Sequence, residues 1–185
     1  MKLTDKVRVA AEFAGMLFRD QGKMYGAQPY ERHLQDVHDV LLRFDVTDRD
    51  MLAAAFLHDI LEDTETDIWI LDKVFGANVS ELVWLVTDEP GVNRMERKEK
   101  TYPKIRQSIK GTQLKLADRI ANLENSIATK DQRMFRMYRK EHPEFVLALR
   151  QIGQLDNMWD HLSGLITRGE EVLVYNRELF DAPVR

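Results

Sequence analysis

Apolar residues recur at intervals of three and four positions along most of this 185-residue chain. Such spacing places them on one face of an α-helix, where they can pack against a core. The pattern predicts helices over residues 4–18, 31–44, 67–75, 79–86, 113–128 and 155–173, and one more that begins at a Thr47 or Asp48 cap and continues to His58. Thr4 is the predicted cap of the first helix, and Pro143 is predicted to begin a further helix.

No stretch shows the period-two alternation of a half-buried strand, so the predicted fold class is all-α, a compact bundle of about eight to ten helices with no sheet. Residues 20–29 contain two glycines and a proline and are predicted to form a loop. We expect the whole chain to be a single domain, with a core of roughly residues 5–127 and C-terminal helices within residues 130–180 packed on it. Trp69 and Trp84 are predicted to lie in the core.

The composition is that of a globular protein, with 44% hydrophobic and 31% charged residues. The formal net charge of −4 gives no overall basic field, so nucleic acid is not an expected partner. The absence of cysteine excludes disulfides and thiolate metal ligands. No apolar run approaches the roughly 20 residues of a membrane span, and residues 1–21 lack a signal-peptide pattern, so the expected location is the cytoplasm.

One stretch concentrates four ionisable side chains within six positions, directly after the apolar run 51–57. Alanine and leucine favour a helix there, so we expect His58 to lie above Glu62 and Asp59 above Asp63, because residues four apart share a helix face. Burying an imidazole and three carboxylates beside apolar residues is costly unless a cation or tight pairing compensates. A divalent metal would compensate, with histidine and carboxylate as its ligands.

A metal at this stretch needs more ligands than the stretch provides. His58 and Asp59 point about 100° apart on a helix, so both reach one ion only near a helix end or across a cleft between helices. His33 and Asp118 are the candidates for the remaining ligands. Each alone is typical of an ordinary residue, a histidine at a helix start and an aspartate in a salt bridge. Together the four complete a His…His-Asp…Asp set, which indicates one metal site.

Four short motifs contain these residues in a fixed order: GAQPYERH at 26–33, FLHDILEDT at 56–64, LVTD at 85–88 and LKLADRIANL at 114–123. They resemble the HD phosphohydrolase superfamily and, more specifically, the hydrolase domain of RelA/SpoT-type proteins. Those enzymes remove the 3′-pyrophosphate from the alarmone (p)ppGpp. The resemblance covers roughly residues 5–127. Because no synthetase domain is recognised in the sequence, the chain resembles the small, stand-alone hydrolases.

The resemblance implies a reaction and the residues that carry it out. The implied cofactor is one Mn²⁺ ion per chain, and its ligands are His33, His58, Asp59 and Asp118. Glu62 and Asp63 are implied to activate or position the attacking water. A carboxylate pair that ends a helix opposes the helix dipole, which favours a functional reason for this pair. The expected reaction is metal-dependent hydrolysis of the 3′-pyrophosphate of (p)ppGpp to GDP or GTP and pyrophosphate.

The candidate substrate-binding residues match the family's pattern less closely than the candidate metal ligands do. The candidate substrate-binding residues are Lys23, Tyr30, Arg97, Lys98, Asn122 and Lys140. Relatives stack an arginine on guanine where this chain has Lys23, and they have a second basic residue where it has Met24. Lysine lacks the planar guanidinium that stacks on a base, so weak discrimination between guanine and adenine is expected. The basic stretch 94–110 fits either a solvated helix face or a phosphate-binding wall.

Two other functions are compatible with the same motifs. An HD-type phosphohydrolase could act on another nucleotide, namely (p)ppApp, NADPH or a nucleoside monophosphate. A protein of a different class could sense a nucleotide or bind a partner while using the metal structurally. The carboxylate pair of Glu62 and Asp63 argues against the second, because a binding protein needs no general base. The oligomeric state is left open by the sequence.

Overall fold

A computed structural model of the protein describes residues 5–175, with side chains up to residue 173. These residues form ten α-helices, which confirms the predicted all-α class. The helices are α1 (Asp5–Asp20), α2 (Glu31–Arg43), α3 (Arg49–Leu57), α4 (Ile60–Asp63), α5 (Ile68–Phe75), α6 (Ala77–Val86), α7 (Arg94–Arg106), α8 (Ile109–Ala128), α9 (Gln132–Leu149) and α10 (Asp156–Glu170), followed by a π-helical turn at Glu171–Tyr175. The predicted cap Thr4 and residues 176–180 of the predicted C-terminal helices lie outside the described residues.

The predicted loop at residues 20–29 contains a small antiparallel hairpin, which is the one sheet within residues 5–175. Its strands are β1 (Met24–Tyr25) and β2 (Gln28–Pro29). Gly26 takes a positive φ of 62° in the turn, a conformation that glycine adopts at little cost. Strands of two residues are too short for alternation to be visible in the sequence, so the expectation of no sheet was wrong at this point.

Most helix boundaries lie within three residues of the prediction, and two differences are informative. Helix α8 begins at Ile109 rather than Gln113, because the Ser108 hydroxyl caps it by accepting from Gly111 N at 3.2 Å. Pro143 lies inside α9 instead of beginning a helix. The proline is on the exposed side of α9, while Phe145 on the opposite side is fully buried. Packing of that buried side therefore keeps the helix continuous in spite of the missing amide donor.

Helix α3 forms the centre of the molecule, because all seven of residues 51–57 are buried. It packs against α1, α2, α6 and α8, while α9 and α10 both pack on α8. The prediction that Trp69 and Trp84 lie in the core was wrong, since they are 59% and 44% exposed. Helix α5 buries Leu71 and Phe75 instead, and the Lys104 ammonium covers the Trp84 ring at 4.5 Å from its centre. None of the helices between residues 5 and 175 is long and apolar enough to cross a membrane.

Candidate functional site

The chain breaks its helix at the His58-Asp59 pair. Helix α3 ends at Leu57, and Asp59 has φ −100° and ψ 1°, in the sparsely populated bridge region of backbone space. Helix α4 then begins at Ile60. The expectation of one continuous helix with His58 above Glu62 was therefore wrong. The break is what allows two adjacent side chains to reach the same point.

Four side chains from three parts of the chain converge at this break. The Nε2 atoms of His33 on α2 and His58 are 3.2 Å apart. Asp59 Oδ2 lies 3.0 Å from His58 Nε2 and 3.6 Å from His33 Nε2. Asp118 Oδ1, on α8, lies 3.4 Å from His33 Nε2 and 3.9 Å from His58 Nε2. The structure thus brings together all four of the ligands suggested by the sequence.

The arrangement of these donor atoms fits a divalent metal. His58 Nδ1 is 2.9 Å from the carbonyl oxygen of Ala55, which fixes the proton on Nδ1 and leaves the Nε2 lone pair directed at the cluster. His33, His58 and Asp118 alone offer ligand atoms that all lie within 4.8 Å of one another. Two imidazole nitrogens with two carboxylate oxygens suit a borderline metal such as Mn²⁺, Fe²⁺ or Zn²⁺.

The charges of the cluster are strongly coupled. Burial raises the pKa of Asp59, but the neighbouring His58 and His33 hold this pKa well below its usual range. Burial also raises the pKa of Asp118, and the ammonium of Lys115 with the two histidines outweighs it and holds the pKa well below normal. Burial lowers the pKa of His33, yet its hydrogen bonds to Asp118 and Asp59 raise the pKa to about 9. The two carboxylates are therefore ionised at neutral pH and attract a cation.

Polar neighbours hold both carboxylates in place. The Tyr30 hydroxyl donates a short hydrogen bond to Asp59 Oδ2. Asn122 Nδ2 donates to Asp118 Oδ1 at 2.6 Å, and Lys115 Nζ lies 2.9 Å from Asp118 Oδ2. Tyr30 and Asn122 were predicted to contact substrate. In the structure they hold the two aspartates, and both also line the adjoining cavity.

The carboxylate pair one turn beyond the cluster is held in two different ways. Glu62 Oε1 accepts a hydrogen bond from the backbone nitrogen of Asp88 at 2.7 Å. Partial desolvation by the cavity wall raises the pKa of Glu62. Asp63 forms an ion pair with the Lys23 ammonium, which also lies 3.9 Å from the centre of the Tyr30 ring. Lys23 is therefore engaged with a carboxylate of the site rather than free to meet a base.

A cavity of about 300 Å³ opens beside the four converging side chains. Five positive side chains line it apart from Lys23, and they are Arg94, Arg97, Lys98, Lys115 and Arg119. Lys98 is only 7% exposed, and its ammonium is 2.7 and 2.9 Å from the two carboxylate oxygens of Asp88. Such a wall can hold phosphate groups next to a metal.

The basic stretch 94–110 lines the cavity only in part. Three of its members line the cavity, as stated above, and four lie outside the cavity lining, namely Lys100, Lys104, Arg106 and Lys110. Lys140 also lies outside this cavity. It lines a second cavity of about 270 Å³ between α7 and α9, and Arg94 and Lys98 border both cavities. Contact of Lys140 with substrate stays a prediction.

Sequence reasoning gave no role to several residues that line the site. Asp88, Lys115 and Arg119 stand inside the motifs, so their position could have indicated them. Tyr25 and Met134 gave no signal. Tyr25 lies in the hairpin, and its hydroxyl donates to Asn122 Oδ1 at 3.0 Å. Its place in the site depends on how the hairpin folds over α8, which no local pattern records.

Comparison with known families agrees with this geometry. The HD domain family matches residues 10–143, a span that contains all four converging side chains. The chain belongs to the HD domain family. The predicted family is thereby confirmed. An HD domain implies a divalent metal, and the His33, His58 and Asp118 group of this HD-domain protein is able to bind one.

Several relatives of this HD-domain protein have names that state an activity. The guanosine-3′,5′-bis(diphosphate) 3′-pyrophosphohydrolase MESH1 of Homo sapiens is 38% identical over 117 residues, which cover 62% of this chain and 65% of that protein. MESH1 of Drosophila melanogaster is 36% identical over 97 residues, which cover 51% of this chain and 54% of that protein. The match thus spans between 54% and 65% of the length of these relatives.

Solved structures share the fold. A metazoan ortholog of SpoT that hydrolyses ppGpp superposes with a TM-score of 0.77 at 27% identity, covering 91% of this chain and 97% of that one. The Listeria monocytogenes EGD-e protein lmo0812 superposes with a TM-score of 0.64 at 21% identity, covering 75% of this chain and 99% of that one. The second likeness concerns the fold alone.

Proposed function

We propose that this HD-domain protein hydrolyses the 3′-pyrophosphate of the guanosine alarmones (p)ppGpp, giving GDP or GTP and pyrophosphate. The observation that carries the proposal is the convergence of four candidate metal ligands, His33, His58, Asp59 and Asp118, beside a cationic cavity that the Glu62-Asp63 pair also lines. The names of its MESH1 relatives and the activity of the SpoT ortholog support the choice of substrate. A cytoplasmic location belongs to the same proposal.

The proposed cofactor is one Mn²⁺ ion. Its proposed ligands are His33, His58, Asp59 and Asp118. When bound, such an ion supplies Lewis-acid activation of water and neutralises charge that develops on a phosphate group. The Ala55 carbonyl supports His58 as a ligand, because it holds the Nδ1 proton and keeps Nε2 free.

The proposed catalytic residues are Glu62 and Asp63. The raised pKa of Glu62 brings this carboxylate closer to working pH, where a general base is most effective. Its hydrogen bond from Asp88 N keeps one oxygen fixed and leaves the other available for a water proton. Lys23 neutralises Asp63 in part and orients it toward the cavity.

The proposed phosphate-binding residues lie on the cationic wall, with Arg97 and Lys98 first among them. Asp88 holds Lys98 by two hydrogen bonds and lies 3.7 Å from Arg97 Nε, so both cations are pre-positioned. Pre-positioned charge avoids the cost of reorganising long side chains when the anion binds. These groups would hold a polyphosphate while the carboxylate pair acts on the attacking water.

The experiment that tests the proposed function is direct. Purified protein with Mn²⁺ is incubated separately with ppGpp, pppGpp, ppApp and NADPH, and the products are separated by anion exchange. GDP or GTP with pyrophosphate is the expected result. Turnover of NADPH or ppApp without turnover of ppGpp would identify a different substrate. Metal binding with no turnover of any of these nucleotides would favour a nucleotide-sensing protein.

One observation favours an adenosine alarmone, ppApp, as a second substrate. Lys23, at the position where relatives stack arginine on guanine, is engaged by Asp63 and the Tyr30 ring. We therefore expect kcat/KM for ppGpp and ppApp to differ by less than about a hundredfold, or ~2.7 kcal/mol. Competition kinetics with the two alarmones measure this ratio. A larger preference for guanine would mean that other residues read the base.

The charge of Lys98 gives a pH prediction. Burial and the nearby Lys115 ammonium lower the pKa of Lys98 to about 8, although Asp88 opposes them. Lys98 is therefore cationic below this pH and neutral above it. We expect kcat/KM for an anionic nucleotide to fall as the pH rises through about 8, because Lys98 then loses the charge that attracts the anion. The pH dependence of kcat/KM reflects the ionisation of groups in the free enzyme. Lys98→Gln should remove this fall, and an unchanged profile in the variant would exclude Lys98 as its source.

A further inference from the structure

The β1–β2 hairpin and the two residues that flank it, Lys23 and Tyr30, contribute three side chains to the site, and each contacts a different residue there. Lys23 pairs with Asp63, and Tyr30 donates to Asp59, as described above. The third is Tyr25, whose hydroxyl donates to Asn122. Backbone bonds fix the base of the hairpin, with Lys23 N donating to the Phe18 carbonyl at 3.0 Å and Tyr30 N to the Lys23 carbonyl at 3.2 Å. These three side chains therefore start from an anchored backbone.

The contact of Tyr25 continues through Asn122 to Asp118. Asn122 Nδ2 donates to both the carboxylate Oδ1 and the backbone carbonyl of Asp118, at 2.6 and 3.0 Å. An amide has one donor end and one acceptor end, so this orientation leaves Asn122 Oδ1 in need of a donor. The Tyr25 hydroxyl supplies that donor at 3.0 Å. Rotating the amide by half a turn would bring oxygen against the carboxylate and lose both bonds to Asp118.

Two features make this relay relevant to the metal centre. Asp118 Oδ1 accepts the hydrogen bond from Asn122 Nδ2, and the same oxygen faces the Nε2 atoms of His33 and His58. The Tyr25 ring also packs on the His33 ring, with centroids 4.8 Å apart and an interplanar angle of 38°. Residues that orient a ligand typically change metal affinity by about 10–100-fold when they are removed.

We propose that Tyr25 is a positioning residue that sets the metal affinity by holding Asp118 through Asn122. This inference rests on the metal centre of the proposed function and adds to it a residue outside the four motifs. The hairpin then steadies both carboxylate ligands, Asp59 directly through Tyr30 and Asp118 indirectly through Tyr25. Because the hydroxyl carries the effect, it can be removed while the ring stays on His33.

The first test is Mn²⁺ binding to Tyr25→Phe, measured by calorimetry without nucleotide. We expect the dissociation constant to rise by about tenfold or more relative to wild type. Tyr138→Phe is the matched control, since Tyr138 lines the same cavity, whereas the hydrogen bonds described above to Asp59 and Asp118 come from Tyr30 and Asn122. Its dissociation constant should stay within about twofold of wild type. Wild-type affinity in Tyr25→Phe would overturn the proposal.

The second test asks whether Tyr25 acts through Asn122. In an Asn122→Ala background, Tyr25→Phe should change the dissociation constant for Mn²⁺ by less than about twofold, because the relay is already broken. The same loss with and without Asn122 would overturn the proposal.

Turnover gives a third readout. Excess Mn²⁺ should restore the kcat of Tyr25→Phe, whereas a deficit that persists at saturating Mn²⁺ would contradict a positioning role. Hydrolysis of ppGpp by the wild type is assayed separately and decides the proposed function, and the metal titration decides the role of Tyr25 whatever that assay gives. A wild-type protein that binds no Mn²⁺ would overturn both.

Discussion

Replacing His58 with alanine is expected to abolish tight Mn²⁺ binding and hydrolysis together. The His58 side chain is fully buried, its Nδ1 proton is held by Ala55, and its Nε2 faces the other three proposed ligands. Asp118→Asn should have the same result, and it keeps the volume of the side chain next to the buried Lys115.

Metal content and stability both report on this prediction. Elemental analysis of the purified variants gives the first, and thermal unfolding with and without Mn²⁺ gives the second. A metal that binds only the native state stabilises it by about 2.7 kcal/mol at a concentration 100 times the dissociation constant. The wild type should show this gain and the variants should not. His161→Ala, on α10 and paired with Glu124, should keep the wild-type metal content. Wild-type content in a His58 or Asp118 variant would remove that residue from the ligand set.

The double variant Glu62→Gln with Asp63→Asn is expected to separate binding from chemistry. Both changes keep side-chain volume and leave the four proposed ligands untouched. The Glu62→Gln change retains a carbonyl oxygen for the Asp88 amide, so the local backbone contact can persist. We expect metal and nucleotide affinity near wild type while kcat falls by about 10²–10⁴-fold, the usual contribution of a general base.

Single-turnover kinetics with equilibrium nucleotide binding would measure the two effects separately. Glu65→Gln is a matched control, because Glu65 is an exposed carboxylate two positions beyond the pair and does not line the cavity. That variant should keep kcat within about twofold of wild type, as surface substitutions usually do. Activity of the double variant within a few-fold of wild type would mean that neither carboxylate serves as the base.

The metal centre could be predicted because its parts are chemically unusual in their local setting. A histidine and three carboxylates directly after seven apolar residues form an unusual cluster of ionisable groups, and that cluster is visible in the sequence. His33 and Asp118 are less conspicuous, and they joined the pair because a metal needs more ligands and because their motifs resemble the same family. The all-α class could be predicted equally well, because the helical spacing of apolar residues within a segment indicates that one face of it is buried.

The sequence could not indicate how the helices end and meet. The path of α9 through Pro143 and the exposure of Trp69 both follow from which faces other helices cover. Those faces lie far apart in the chain, so periodicity within any one helix carries no record of them. Each of these differences is therefore a consequence of tertiary packing rather than of local propensity.

The sequence by itself determined the helical class through its hydrophobic spacing, and it indicated the four proposed ligands and the carboxylate pair through residue types and motifs that resemble a known family. Only the tertiary structure decided that Lys23 pairs with Asp63, that Arg94 and Arg119 face the cavity, and that Tyr25 reaches Asn122. The physical reason is the separation along the chain over which each effect acts. Hydrophobic spacing acts over a few residues, whereas the Tyr25–Asn122 contact joins positions 97 residues apart and exists only when the hairpin is folded over α8.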